Sequence, residues 1–182
     1  MSRTVYPSAP GELEFVRSFV NTLDVEKGTD QLRDGTSWMA WATEHQVRGA
    51  ASAADLAVAR EVREAIREAM IANHDRSGLP AGAISALDMI ADRANVKVRF
   101  SATGARLRGS GAGIDAAFAR IVTAVAESIA DDTWTRLKAC VNDECQWAFY
   151  DTSRSRTGQW CSMSICGNRA KQSRWRAARD GS

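Results

Sequence analysis

Four cysteines, Cys140, Cys145, Cys161 and Cys166, fall within 27 residues of a 182-residue chain that has no others. They form two equal C-x4-C pairs separated by fifteen residues. Thiolates at this spacing suit one tetrahedral zinc ion, because each short knuckle supplies two sulfurs at about 2.3 Å and the spacer lets the second knuckle close on the first. Two disulfides are the competing reading, but a disulfide framework belongs to small secreted chains with cysteines spread throughout. The expectation is a structural zinc. Four protein ligands leave no open position for water or substrate, so chemistry at the metal is not expected. The only histidines, His45 and His74, lie far upstream and are not needed to complete the site.

The cysteines need elements to carry them. TRLKAC and QWAFYD, rich in β-forming and aromatic residues, read as two short strands flanking the first knuckle. TSRSRTGQW between the pairs is polar with one glycine and reads as a loop. From Ser164 the pattern turns helical: ICGNRAKQSRWRAAR has no proline and many helix formers. So small a hairpin and helix would draw much of its folding free energy from the metal.

Charge is distributed unevenly. Residues 134–182 carry nine Lys or Arg and four acids, a formal +5 that zinc and four thiolates reduce to +3. Residues 1–133 carry fifteen bases and eighteen acids. Residues 152–179 hold seven bases, Arg154, Arg156, Arg169, Lys171, Arg174, Arg176 and Arg179, and no acid. Duplex DNA is the partner this pattern suggests, since Lys and Arg neutralise phosphates with counterion release and guanidinium can also read guanine edges. An acidic surface of a partner protein would suit the same charges. Arg169, directly after the last cysteine, has a competing use in holding the knuckle. Trp147, Phe149, Tyr150 and Trp160 are expected to pack around the zinc rather than stack on bases, whereas Trp175, between Arg174 and Arg176, could be docked or presented.

The stretch CVNDECQWAFYDTSRSRTGQWCSMSICGNRAKQSRWR closely resembles the CGNR zinc finger, named for the tetrapeptide that here is Cys166, Gly167, Asn168 and Arg169. The resemblance includes both C-x4-C pairs, the WAFYD strand, the SRSR loop and the WCSM lead into the second pair. Upstream, EFVRSFVNTLD followed by LRDGTSWMAWA resembles the start of the ABATE domain. That domain commonly precedes this finger in bacterial proteins described as "putative stress-induced transcription regulators". The resemblance implies a transcription regulator of the stress response that binds DNA through its finger.

The upstream residues also read on their own terms. GELEFVRSFVNTLD carries a helical stripe at Leu13, Val16, Phe19, Val20 and Leu23, SWMAWATEH reads as a helix entered at Thr36 or Ser37, and SAADLAVAREVREAIREAMIANHD as a long amphipathic helix with Leu56, Val62, Ile66 and Ala69 inward. LPAGAISALDMIADRAN follows as a helix after Pro80, KVRFSA and ARLRGSG as a hairpin turning at Gly104, and GIDAAFARIVTAVAESIA as a last helix. The predicted fold class is α+β: a mainly helical domain with one hairpin over residues 1–133, then a small zinc finger of hairpin and helix over residues 134–182. GSGAGID lacks the Lys-Ser/Thr of a phosphate loop and reads as a connecting loop. No set of nucleophile, base and orienting group is visible, and AREVREAIREA reads as a solvated face, so an enzyme is not expected. Asn21 and Thr22 follow an apolar stripe and are read either as completing the helix C-terminus by a side-chain hydrogen bond or as facing inward, beside a pocket for a small-molecule ligand or at a homodimer interface. No apolar run reaches the roughly 18 residues of a membrane span and the first residues lack a signal-peptide core, so a cytoplasmic protein is expected.

Overall fold

The structure, a computed structural model, describes residues 7–180, without the side chains of residues 173–174 and 177–180. Helix α1 (Leu13–Val20) buries Leu13, Phe15, Val16, Phe19 and Val20. A two-residue hairpin, β1 (Leu23–Asp24) with β2 (Thr29–Asp30), follows it. This hairpin is not expected from sequence, because strands this short leave no alternating pattern to read. Helix α2 (Gly35–Glu44) begins earlier than Thr36: Asp34 is its N-cap and accepts from the Ser37 N–H. Ser52 and Asp55 form a capping box at the start of α3 (Ala53–Ala72), and Pro80 precedes α4 (Ala81–Arg93). Strands β3 (Lys97–Ser101) and β4 (Gly104–Arg108) pair antiparallel, and α5 (Ile114–Ala130) completes the upstream part.

Helix α3 lies at the centre, packed on α1, α4 and the first finger strand, while α5 covers α1 and α4. Trp38, Trp41, Phe19, Leu56, Ile66, Met70, Ile90, Phe118 and Ile121 are all fully buried. Trp41 packs against Phe15 and Phe19 of α1, so aromatic contacts hold α2 on α1. The glycine-rich loop before α5 serves close packing. A Cβ on Gly113 would lie 2.5 Å from the Ala50 carbonyl, and one on Gly49 would lie 2.7 Å from the Gly113 nitrogen. Two backbone segments cross there, joined by the Gly113 N–H donating to the Arg48 carbonyl at 2.6 Å.

A 3-10 turn (Trp134–Arg136) leads into β5 (Leu137–Ala139), which pairs antiparallel with β6 (Ala148–Tyr150). A π turn (Met163–Gly167) then opens α6 (Asn168–Asp180). The strands flanking the first knuckle and the C-terminal helix stand where the sequence puts them. The finger is not a separate body, however: Trp134, Leu137, Ala139 and Ala148 belong to the upstream core, and only the cysteines and Phe149, with Trp147 and Trp160 against them, form a second cluster. No helix among the described residues is long and apolar enough to cross a membrane.

Candidate metal centre and nucleic-acid interface

Cys140 leaves the end of β5 and Cys145 closes the turn that follows. That turn is fixed by the Cys145 and Gln146 N–H groups, which both donate to the Asn142 carbonyl, and by the Cys140 N–H donating to Trp147. The second knuckle is brought alongside by the Val141 N–H donating to Gln159 at 3.1 Å, and the π turn that carries Cys166 is held by the Gly167 N–H on the Ser162 carbonyl. All four sulfurs then lie within 4.8 Å of one another, with Cys145–Cys161 at 3.6 Å and Cys161–Cys166 at 3.7 Å. Sulfurs around a tetrahedral zinc at 2.3 Å stand about 3.8 Å apart, so the cluster fits that ion. The Asn142 amide, 3.9 Å from the Cys166 sulfur, adds a hydrogen bond of the kind that tunes a ligand.

Packed sulfurs cannot all ionise alone. The Cys140 thiolate, receiving hydrogen bonds from Cys145 and Cys161, is held down at about 2. Donating to Cys140 pushes the Cys145 thiol up to about 12, and Cys161 is raised for the same reason. A dication is what lets four thiolates coexist at this separation. The zinc so held is structural.

The upstream helices grip the finger's backbone directly. Arg67 of α3 donates to the Gln146 carbonyl at 2.6 Å and to the Val20 carbonyl at 2.8 Å. Asn73 donates to the carbonyls of Trp134 and Leu137, and His74 Nε2–H donates to Ala139, the residue before Cys140, at 2.7 Å. Arg63, one turn before Arg67, forms a two-pronged pair with Asp30 and touches Thr22. Arg63 and Arg67 are 3% and 2% exposed, which corrects the reading of this helix as a solvated face. They follow Val62 and Ile66 by one position and widen the inward face beyond the apolar stripe. Arg67 is drawn down from its ordinary pKa by burial, with Glu64 opposing.

Asn21 and Thr22 take their hydrogen bonds from within the protein. The Asn21 side chain donates to the Ala148 carbonyl at 3.0 Å and accepts from the Ala148 N–H at 2.8 Å, as a paired strand residue would. Thr22 donates to Phe19 and accepts from Arg63. Neither lines any of the four principal cavities. The polar groups that the sequence points toward a ligand are satisfied by the finger and by α3. One cavity, of about 360 Å3, does lie at the junction, between Leu79, Ile84, Ile129 and Trp134 and beside Asp132. The Trp134 indole N–H is buried without a hydrogen-bond partner among the described residues.

A buried ion pair shapes the basic loop. Lys138, 1% exposed, donates to Asp151 at 3.0 Å and to the carbonyls of Arg156 and Gly158. Burial opposes the charge on Asp151, yet hydrogen bonds from Ser153, Lys138 and the Gly158 N–H outweigh it and hold the carboxyl at about 2. A Cβ on Gly158 would lie 2.9 Å from that carboxylate, so the loop closes only around a glycine. Nothing in the spacing of Lys138 and Asp151 announces this pair, because strand register brings them together.

Of the seven cations assigned to DNA, Arg154, Lys171 and Arg176 are exposed, with no ion pair among the described residues. Arg156 pairs with Asp132 at 2.6 Å, and Arg169 with Glu26 at 2.8 Å, so both reach back to the upstream part. Arg169 thus reaches the β1–β2 turn in a solvent-exposed pair. The side chains of Arg174 and Arg179 lie outside those described. Trp175 is exposed on α6.

Two family models account for nearly all of this architecture. The CGNR zinc finger matches residues 136–179, and the ABATE family, described as "putative stress-induced transcription regulator", matches residues 13–135. No curated protein matches the chain. The upstream match spans two thirds of the sequence and ends inside the turn that feeds β5, so this chain belongs to the ABATE family and carries a CGNR zinc finger at its C-terminal end.

Proposed function

We propose that the protein is a transcription regulator that binds duplex DNA through the zinc-ordered finger, with the upstream helices sensing a ligand and no catalytic step. The observation that carries this is the pairing of a structural metal centre with exposed cations on the loop and helix it orients, Arg154, Lys171 and Arg176, which make no ion pair among the described residues. Phosphate contacts dominate such an interface. The sensing half rests on the junction cavity, whose largely apolar walls, Leu79, Ile84, Ile129 and Trp134, suit an apolar molecule. Its neighbour Asp132 holds Arg156 of the basic loop, so an occupant there would act on the loop through that bridge.

One titration of the zinc-loaded protein with fluorescent duplex DNA between 50 and 200 mM salt tests the reading. Arg176→Ala or Lys171→Ala should weaken binding to all sequences alike and lower the salt slope by about one unit for each phosphate left unneutralised. The same titration with a ligand that raises the melting temperature should show changed affinity, and Ile84→Trp, which fills the cavity, should abolish that change. Absence of salt-sensitive affinity for any duplex would favour a second reading, docking on an acidic protein surface. The finger's pairs with Asp132 and Glu26 give that reading its support, since they show the basic loop and helix engaging carboxylates.

A further inference from the structure

The β3–β4 hairpin has a one-sided charge pattern that the fold does not use. Its register sets Lys97 opposite Arg108 and Arg99 opposite Arg106, so four cations share one face, while Val98, Phe100, Ala105 and Leu107 share the other. Like charges directly opposite each other destabilise a strand pair. Folding alone therefore would not favour this face. No acid occurs between Asp92 and Asp115, and none of the four cations makes an ion pair or side-chain hydrogen bond among the described residues. Arg93, the cation just before the hairpin, is already held by Asp55 and Asp115. The upstream part is net acidic as a whole, which makes the local excess sharper.

The hairpin borders the body along β4, where Arg106 and Arg108 line an open cavity with Glu12 and Glu127, and is otherwise turned to solvent. Every residue of β3 is exposed, and on β4 only Leu107 is partly covered. Phe100, near the turn, is 84% exposed on the face opposite the cations.

We propose that this hairpin is a second duplex-DNA contact, a two-stranded ribbon that enters the major groove with its cationic face on the nucleic acid. The B-form major groove is about 12 Å wide and admits a two-stranded ribbon, whereas the A-form major groove of RNA is too narrow for side chains to read. Cations two residues apart on a strand are about 7 Å apart and those opposite about 5 Å, a density suited to a backbone with one phosphate per roughly 3.4 Å of each strand. The proposal rests on the DNA-binding reading above and adds to it a site on the upstream part.

The test uses full-length, zinc-loaded protein and fluorescent duplex DNA over a range of salt. The variant is Lys97→Ser, Arg99→Ser, Arg106→Ser and Arg108→Ser together, compared with Lys171→Ala and Arg176→Ala in the finger. The ribbon variant should melt no lower than the parent, because cross-strand repulsion is removed. Its affinity should fall at least roughly tenfold at 100 mM salt, and its salt slope should fall by up to about 3.6, or 0.9 for each of four phosphates. If affinity and slope are unchanged while the finger variant loses both, the ribbon proposal is overturned and the finger's role stands. If the parent has no salt-sensitive affinity for any duplex, both are overturned. A loss confined to single-stranded RNA or to an acidic protein would overturn the commitment to DNA. Should the fourfold variant fail to fold, Arg99→Ser with Arg106→Ser gives the same readout for the central pair, with a slope change of up to about 1.8.

Discussion

The molecule has two cores built by different means. The larger excludes water from Phe19, Trp38, Trp41, Ile66, Phe118 and their neighbours, each worth about 1.5–3 kcal/mol when fully buried. The smaller is four sulfurs with Phe149, Trp147 and Trp160 around them, and it has too little apolar area to hold without metal. They meet in two three-residue strands: Leu137, Ala139 and Ala148 face the first core, while Cys140 and Phe149, their chain neighbours, belong to the second. A zinc module need not be autonomous, then. Here its hairpin is part of the upstream domain and the metal completes only the outer half.

Removing the metal separates the two most strongly. Cys166→Ser should abolish stoichiometric zinc by elemental analysis, and with it a metal-linked folding term on the order of 10 kcal/mol in isolated fingers. Hydrogen exchange should then show the knuckles unprotected, while α1, α3, α5 and much of β5 keep their protection. Loss of protection through α3 would mean the larger core depends on the metal too.

A smaller effect tests the seam. Arg67→Met leaves the Val20 and Gln146 carbonyls without their donor and should cost about 2–4 kcal/mol of stability in urea unfolding. Zinc affinity measured against a chelator should fall in the same variant. Stability that drops with zinc affinity untouched would show the cores to be independent.

The smallest effect concerns acid. His45, stacked on Trp41 and 2.6 Å from Ser18, is depressed chiefly by burial, with Glu44 and Glu14 raising it and Arg120 lowering it. Its folded pKa lies below the unfolded value near 6.5, so the unfolded chain binds the extra proton first as pH falls. Stability from this group is therefore present above about 6.5 and declines on acidification until the folded pKa is passed. His45→Gln should flatten that part of the urea-midpoint profile between about pH 7.5 and 5.5. An unchanged profile would remove His45 from the account.

The cysteine spacing carried the metal centre, since two equal knuckles define a ligand set without reference to the rest of the chain. The helices were legible because stripes such as Leu56, Val62 and Ile66 repeat locally. What escaped depended on partners distant in sequence. Arg67 meets Gln146 seventy-nine positions away, and Asn21 meets Ala148 at a separation of 127. An arginine is ordinarily solvated, so only the carbonyls of Val20 and Gln146, both distant in sequence, explain why Arg67 is buried. The hairpin from Lys97 to Arg108 is legible in the alternation of its residues, but the gathering of its charges on one face requires the register.

The strands shared between the cores also bear on how the protein is made. On a ribosome the chain emerges from its N-terminus, and a domain folds once its last core residue is out. Here that residue is not near 135, where the ABATE match ends, but Ala148 on β6. The helical part must therefore wait, incomplete, for the first knuckle to be synthesised, and Cys161 and Cys166 arrive only after that core can close. Metal capture therefore follows closure of the larger core, and a gene cut between the two family matches would yield a fragment whose core lacks Leu137, Ala139 and Ala148.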